Sequence, residues 1–109
     1  WFARNSGSNT HPVGEKQPNG WGLYDMHGNV WEWCSAWYGD YPKSAVSDPV
    51  GPSKGSLRVL RGGSCSHEAA YCRSGLRDWY APSFRLNFGY GFRVALSPSG
   101  IPKSPEADK

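Results

Sequence analysis

Asp25 and Glu32 bracket the segment Asp25-Met26-His27-Gly28-Asn29-Val30-Trp31-Glu32. Two carboxylates flank a turn whose Gly28 exposes backbone carbonyls, and hard cations such as calcium take this mixture of oxygen ligands. The spacing is not that of an EF-hand. Taken alone, its plainer reading is a turn aspartate followed by a glutamate on a solvated strand face. A second group, Cys65-Ser66-His67-Glu68-Ala69-Ala70-Tyr71-Cys72, follows Gly62-Gly63-Ser64. Thiolate and imidazole suit copper or zinc, and a thiol beside a histidine is also an arrangement for a nucleophile. One histidine with no CxxC pair argues against zinc, and from spacing alone the cysteines read as small buried hydrophobes. The third group is Arg58, Arg61, Arg73, Arg77, Arg85 and Arg93. Such arginines can fork onto an anionic substrate. In a loop-rich chain they more often donate to backbone carbonyls, which must find partners when buried.

The elements that would position these groups are short. Residues 1–20 are polar and rich in turn formers, which predicts an ordered loop. Residues 30–38 place Trp31, Trp33 and Trp37 at period two, which predicts a strand with an aromatic face. Residues 39–56 carry Pro42, Pro49, Pro52, Gly51 and Gly55 and read as loop. A short strand over 57–61 is stopped by Gly62-Gly63. Residues 71–77 alternate again, with Cys72, Ser74 and Leu76 on one side and Arg73 and Arg77 on the other. Residues 82–89 read as loop. Tyr90, Phe92, Val94 and Leu96 alternate with Gly91, Arg93 and Ala95, the clearest strand signal in the chain. Residues 97–109 form a polar tail after a domain over 1–96.

Composition narrows the class. The chain has 109 residues with 14 glycines and 9 prolines. Glycine and proline destabilise helix interiors by roughly 1 and 3 kcal/mol, so a helical bundle is excluded. Six tryptophans and 15% aromatics argue equally against disorder. The net charge of +3 is spread without a basic run, so no nucleic-acid partner is expected. No apolar stretch approaches the ~20 residues of a membrane span, and no signal peptide or other targeting segment is evident, which leaves the compartment open. A start at Trp1 suggests a processed or partial chain. Three cysteines allow at most one internal disulfide and leave an odd thiol.

Four ordered blocks carry a resemblance. They run from Asn19-Gly20-Trp21-Gly22-Leu23-Tyr24-Asp25 through Trp33, then Arg58-Val59-Leu60-Arg61-Gly62-Gly63-Ser64, Cys72-Arg73-Ser74-Gly75-Leu76-Arg77, and Gly91-Phe92-Arg93-Val94-Ala95. Together with His11-Pro12-Val13-Gly14 as lead-in, they closely resemble the formylglycine-generating enzyme, or sulfatase-modifying factor, family. That domain is usually more than twice this length, so residues 1–96 resemble its C-terminal portion. The resemblance implies an irregular α+β fold related to C-type lectins, with small antiparallel sheets. It also implies a calcium ion held by Asp25, the carbonyls of Gly28 and Val30, and Glu32.

The enzymes of this family oxidise a cysteine in a sulfatase's Cys-x-Pro-x-Arg segment to formylglycine, with oxygen and a copper(I) ion held by two cysteines. Two soft thiolates suit linear copper(I). The family's cysteines fall three and eight residues after the serine of Gly-Gly-Ser. Counted from Ser64, the eighth is Cys72, a match, and the third is His67, a departure, while Cys65 is displaced. Trp31, Ser64 and Tyr71 match positions that line the enzymes' active site, and Gly89 stands where they carry asparagine. The resemblance therefore implies Cys72, His67, Ser64, Trp31 and Tyr71 as the catalytic cluster, with Cys72 and His67 as a copper pair. The implied partners are a sulfatase or another protein or peptide, and the N-terminal half of the domain. The alternative is a non-catalytic, calcium-stabilised module that binds a ligand or protein through its loops. An iron-dependent sulfoxide-synthase reading would need histidines from a further domain.

Overall fold

The computed structural model describes residues 1–47, 49–84 and 88–96. The expected Arg85 and the tail over 97–109 lie outside the described residues. One mixed sheet organises the chain. Its strands are β1 (Trp31–Trp37), β2 (Arg58–Arg61), β3 (Arg77–Tyr80) and β4 (Tyr90–Gly91), in the spatial order β3-β2-β1-β4. Among the described residues helix is confined to one turn, α1 (Ala3–Ser6), and a 3-10 turn at Ala69–Cys72. This is the irregular α+β arrangement expected.

The register fixes what shares a face. β2 runs antiparallel to both neighbours, with Glu32 opposite Arg61 and Arg61 opposite Arg77. Val59 and Arg61 therefore point to one side and Leu60 to the other. Trp31, Val59, Leu60, Cys65 and Cys72 form the buried core. So small a core leaves loop backbone to be held by hydrogen bonds. Asn29 is the centre of that network. Its side chain accepts from the His11 amide (2.9 Å) and donates to the His11 carbonyl (3.0 Å). Its amide donates to the Trp1 carbonyl (2.7 Å), and its carbonyl accepts from the Cys65 amide (2.9 Å). The backbone there is left-handed, with φ 65°, a conformation asparagine tolerates better than most residues.

Five expectations are corrected. The first is the all-loop N-terminus, because residues Ala3–Ser6 turn once into helix and end at Gly7 with φ 68°. The aromatic face of β1 is broken by an irregularity between Trp33 and Trp37, so Trp31 is buried while the other two are half-buried. The strand expected over 71–77 is a 3-10 turn ending at Cys72, then a tight turn in which the Leu76 amide donates to the Arg73 carbonyl (3.1 Å). β3 begins only at Arg77. The sheet is not purely antiparallel either, since β4 joins β1 in parallel. Finally, the long strand over 90–96 pairs only at Tyr90 and Gly91. Past that point Phe92, Val94 and Leu96 are 77%, 86% and 97% exposed. The chain there is held by the Arg93 side chain instead of a ladder.

The Asn29 network makes a stability prediction. Asn29→Ala removes two side-chain hydrogen bonds, each worth about 0.5–1.5 kcal/mol, and leaves buried backbone groups of His11 unpaired. Alanine also keeps a β-carbon in left-handed backbone without the polar side chain that makes asparagine tolerant of it, a strain of roughly 1–2 kcal/mol. Asn29→Gly removes the same bonds without that last cost. Urea unfolding is expected to rank wild type above Asn29→Gly and Asn29→Gly above Asn29→Ala. Equal stability of all three would refute the assigned role.

Candidate functional site

After β2 the chain turns through Gly62 (φ 98°) and Gly63 (φ 70°), left-handed conformations that admit glycine without strain. The absence of a side chain at Gly63 has a second use. A β-carbon there would lie 2.5 Å from Cys72 Sγ and 2.9 Å from the Tyr71 carbonyl. Cys72 thus closes directly over the Gly-Gly turn and is buried. Burial pushes its thiol up; the chain's N-terminal charge and the Ser64 amide, which hydrogen-bonds it, pull the other way.

Ser64, buried at the end of that turn, pairs its Oγ with His67 Nδ1 at 2.7 Å. The Ser66 amide donates to the same oxygen at 3.3 Å. His67 is half-buried, its ring edge-on to Trp31 (5.3 Å between centroids) and tilted against Tyr71 (5.5 Å). Gly89 comes within 3.7 Å of Ser64, measured from a β-carbon built on it, and its carbonyl accepts from the Trp31 amide (2.7 Å). The fold therefore gathers Trp31, Ser64, His67, Tyr71 and Cys72 around the Gly62-Gly63 turn. Cys65 stands apart. It is fully buried, its amide bonded to the Asn29 carbonyl and its carbonyl accepting from Ser6 Oγ (2.6 Å). All three cysteines are free thiols.

The Asp25–Glu32 loop brings its two carboxylates to one cavity of about 340 Å³, shared with Val30 and Arg93. Asp25 Oδ2 accepts from the Gly14 amide at 2.9 Å, while Asp25 Oδ1 is buried without a hydrogen-bond partner. Glu32 takes a two-pronged contact from Arg93, Nε to Oε1 at 2.5 Å and Nη2 to Oε2 at 2.8 Å. The same guanidinium donates to the carbonyls of Tyr24 (2.9 Å) and Asp25 (3.1 Å). Its hydrogen bond to Glu32 raises the Arg93 pKa further. Gly28 sits where the loop passes the N-terminus, since a β-carbon there would meet the Trp1 carbonyl oxygen at 2.0 Å. Among the described residues no three His, Cys, Asp or Glu side chains are grouped to hold a metal ion. A cation here would have to lean on Asp25, Glu32 and backbone carbonyls.

The arginines do brace carbonyls. Arg58 donates to Ser35, Arg61 to Ser74 (2.7 Å), Arg73 to Ala70 (2.6 Å) and Arg77 to Gly39 (3.0 Å). They do so without being deeply buried, however. Arg73 and Arg93 are exposed, and only Arg93 reaches two carbonyls and a carboxylate. Long side chains can keep the guanidinium wet while bracing backbone. Three contributors went unsuspected in the sequence. They are Asn29 as hub, Arg93 as the partner of Glu32, and His27, whose Nδ1 lies 2.6 Å from the Cys72 carbonyl. The residues of that last pair are 45 apart in the chain, so no local spacing announces it.

Comparison with known proteins agrees with this geometry. Residues 1–98 match the family described as the sulfatase-modifying factor enzyme 1-like domain. A formylglycine-generating enzyme of Thermomonospora curvata is 42% identical over 98 residues, covering 82% of this chain and 32% of that protein. One from Streptomyces coelicolor is 51% identical over 65 residues, 58% of this chain and 21% of that one. A Chlamydia caviae protein named serine/threonine-protein kinase pkn1 is 42% identical over 92 residues, 81% of this chain and 15% of its own length. The chain thus spans a third or less of these curated relatives. Among solved structures, Treponema denticola variable protein 1 superposes with TM-score 0.78 at 47% identity, covering 84% of this chain and 34% of that one. PvdO from Pseudomonas aeruginosa does so with TM-score 0.72 at 37% identity, covering 84% and 36%. With its Gly-Gly-Ser turn, its cluster at Cys72 and this match along nearly its whole length, the chain belongs to the sulfatase-modifying factor family of formylglycine-generating-enzyme-like domains.

Proposed function

We propose that this chain is the cluster-bearing C-terminal portion of a formylglycine-generating-enzyme-like domain, stabilised by calcium, that does not oxidise a substrate cysteine by itself. The observation that carries the reading is the pairing of His67 with Ser64 at the place where the family's enzymes have a second cysteine. Cys65, the one nearby thiol, is buried in a different set of contacts and cannot replace it without rebuilding the turn.

The donors present fit a soft metal in part. Cys72 Sγ and His67 Nε2 would hold copper(I), an ion that supplies oxygen activation when bound. An imidazole in place of one thiolate is a neutral, harder donor and changes the affinity and potential of such a site. The protein's own part is to hold that ring. When Nε2 is a ligand, Nδ1 carries the proton and donates it to Ser64 Oγ, and the Ser66 amide donates to the same oxygen. Trp31 and Tyr71 flank the imidazole and restrict its tilt. A peptide of the Cys-x-Pro-x-Arg type, from a sulfatase or another protein, is the substrate class for which the cluster is tested. The second reading, a non-catalytic, calcium-stabilised module that binds a ligand or protein through its loops, rests on the same histidine standing at position 67.

For calcium, the supporting observation is the buried, unpartnered Asp25 Oδ1, in a residue that lines one cavity together with Glu32. A buried carboxylate oxygen without a donor costs free energy that a cation would recover. Arg93 already neutralises Glu32, so calcium would share that carboxylate with the guanidinium.

Two outcomes follow. Melting should occur at higher temperature in calcium than in chelator, with about 2.7 kcal/mol of added stability at a hundredfold excess over Kd. Asp25→Ala should melt lower and lose that response. Identical melting of the wild type in calcium and chelator would dispose of the site. For the cluster, incubation with copper(I), oxygen and a Cys-x-Pro-x-Arg peptide should yield no aldehyde by mass spectrometry. His67→Cys should bind copper(I) at least about tenfold tighter in competition with a coloured chelator. Aldehyde formation by the wild type, lost in Cys72→Ser, would make the chain an enzyme in its own right.

A further inference from the structure

The sheet face opposite to Leu60 carries a second cavity, of about 1080 Å³, roofed by loop residues within 39–47 and 49–52. The roof is pinned at three close approaches. Gly39 lies against Pro52, Gly51 against Ala36, and Gly55 against the Trp37 ring. The Tyr38 amide adds a hydrogen bond to the Leu57 carbonyl (2.7 Å). The floor carries Cys34, Val59, Arg61 and Arg77, with Tyr41 on the wall.

Arg61 and Arg77 are directly opposite each other on β2 and β3. Like charges in that position repel and destabilise the sheet unless something negative lies between or above them. Among the described residues the acid best placed to do this is Glu32, opposite Arg61 on β1, and Arg93 has taken both its oxygens. Asp40 lines the same cavity, but among the described residues no ion pair joins it to either arginine. The guanidinium of Arg77 lies flat over the Tyr41 ring (3.8 Å) and near that of Tyr38 (4.9 Å). Arg61 Nη2 reaches Tyr41 Oη at 3.4 Å. Each arginine spends one nitrogen on a carbonyl, Ser74 or Gly39, which sets its plane and leaves further N–H donors. Stacked, pre-oriented guanidinium groups are suited to forking onto a carboxylate.

We infer that this cavity is a binding site for an organic carboxylate. The charged group would sit between Arg61 and Arg77, and an apolar body would lie along Val59, Ala36 and the prolines of the roof. The site is separate from the Cys72 cluster and depends on neither the copper nor the calcium reading.

Cys34 offers a built-in reporter. It is the half-buried thiol on the cavity floor, whereas Cys65 and Cys72 are buried in the core. Iodoacetate and iodoacetamide share one reacting carbon and differ in charge. The thiolate displaces iodide from either, forming the same C–S bond. Alkylation of Cys34, followed by peptide mass spectrometry, should favour iodoacetate over iodoacetamide by at least about tenfold relative to a free neutral thiol, as expected of a field that concentrates anions. The iodoacetate rate should saturate with concentration, and benzoate should slow it where benzamide does not. Arg61→Gln and Arg77→Gln should each return the preference toward that of the free thiol. The wild-type comparison stands even if a variant folds poorly. A wild-type preference no greater than the free thiol's, or equal protection by benzamide and benzoate, would overturn the assignment.

Discussion

Asn29 joins three parts of the chain at one residue. Its four hydrogen bonds tie Trp1 and His11 of the N-terminal segment to Cys65 beyond the Gly-Gly turn, immediately ahead of β1. With five buried apolar side chains among the described residues, burial cannot orient long loops by itself. Directional bonds from a buried amide side chain do so, because each unpaired alternative would leave polar backbone without water. The register of β1 against β4 and the position of the Ser64 loop both descend from this knot, since Trp31 follows it by two residues and Cys65 is bonded to it.

The second constraint is electrostatic and operates three residues on, at Glu32 near the start of β1. Glu32 could have paired with Arg61, its neighbour across the ladder, or with Arg93 from the C-terminal segment. It pairs with Arg93 through two hydrogen bonds, and the guanidinium extends to the carbonyls of Tyr24 and Asp25. That single choice has two effects. It clamps the Asp25–Glu32 loop to the chain beyond β4, and it leaves Arg61 and Arg77 facing each other on the floor of the larger cavity. A forked charge-assisted contact is stronger than a single-pronged one, which is the physical reason for the preference.

The Cys72 cluster rests on backbone conformation more than on charge. Two successive left-handed glycines let the chain reverse tightly enough for Cys72 Sγ to fill the space a β-carbon at Gly63 would need. Ser64 then holds His67, and Trp31 and Tyr71 hold its ring.

Features set by local chemistry were legible in the sequence. Glycine and proline content foretold a loop-rich fold and Gly62-Gly63 marked the end of β2, while Ser64, His67 and Cys72 were grouped by the family resemblance and not by their spacing alone. Alternation over a few residues misled in two places. Over 71–77 the pattern fits a 3-10 turn as well as a strand, and the tight turn at Ser74-Gly75 decided between them. Over 90–96 alternation describes a strand with a partner, yet only Tyr90 and Gly91 find one. The remaining features are long-range. Glu32 and Arg93 are 61 residues apart, His27 and Cys72 are 45 apart, and Asn29 and His11 are 18 apart. No period or motif encodes such pairs. They form because folding removes water from these polar groups, and each group then takes the partner that the completed backbone brings within reach.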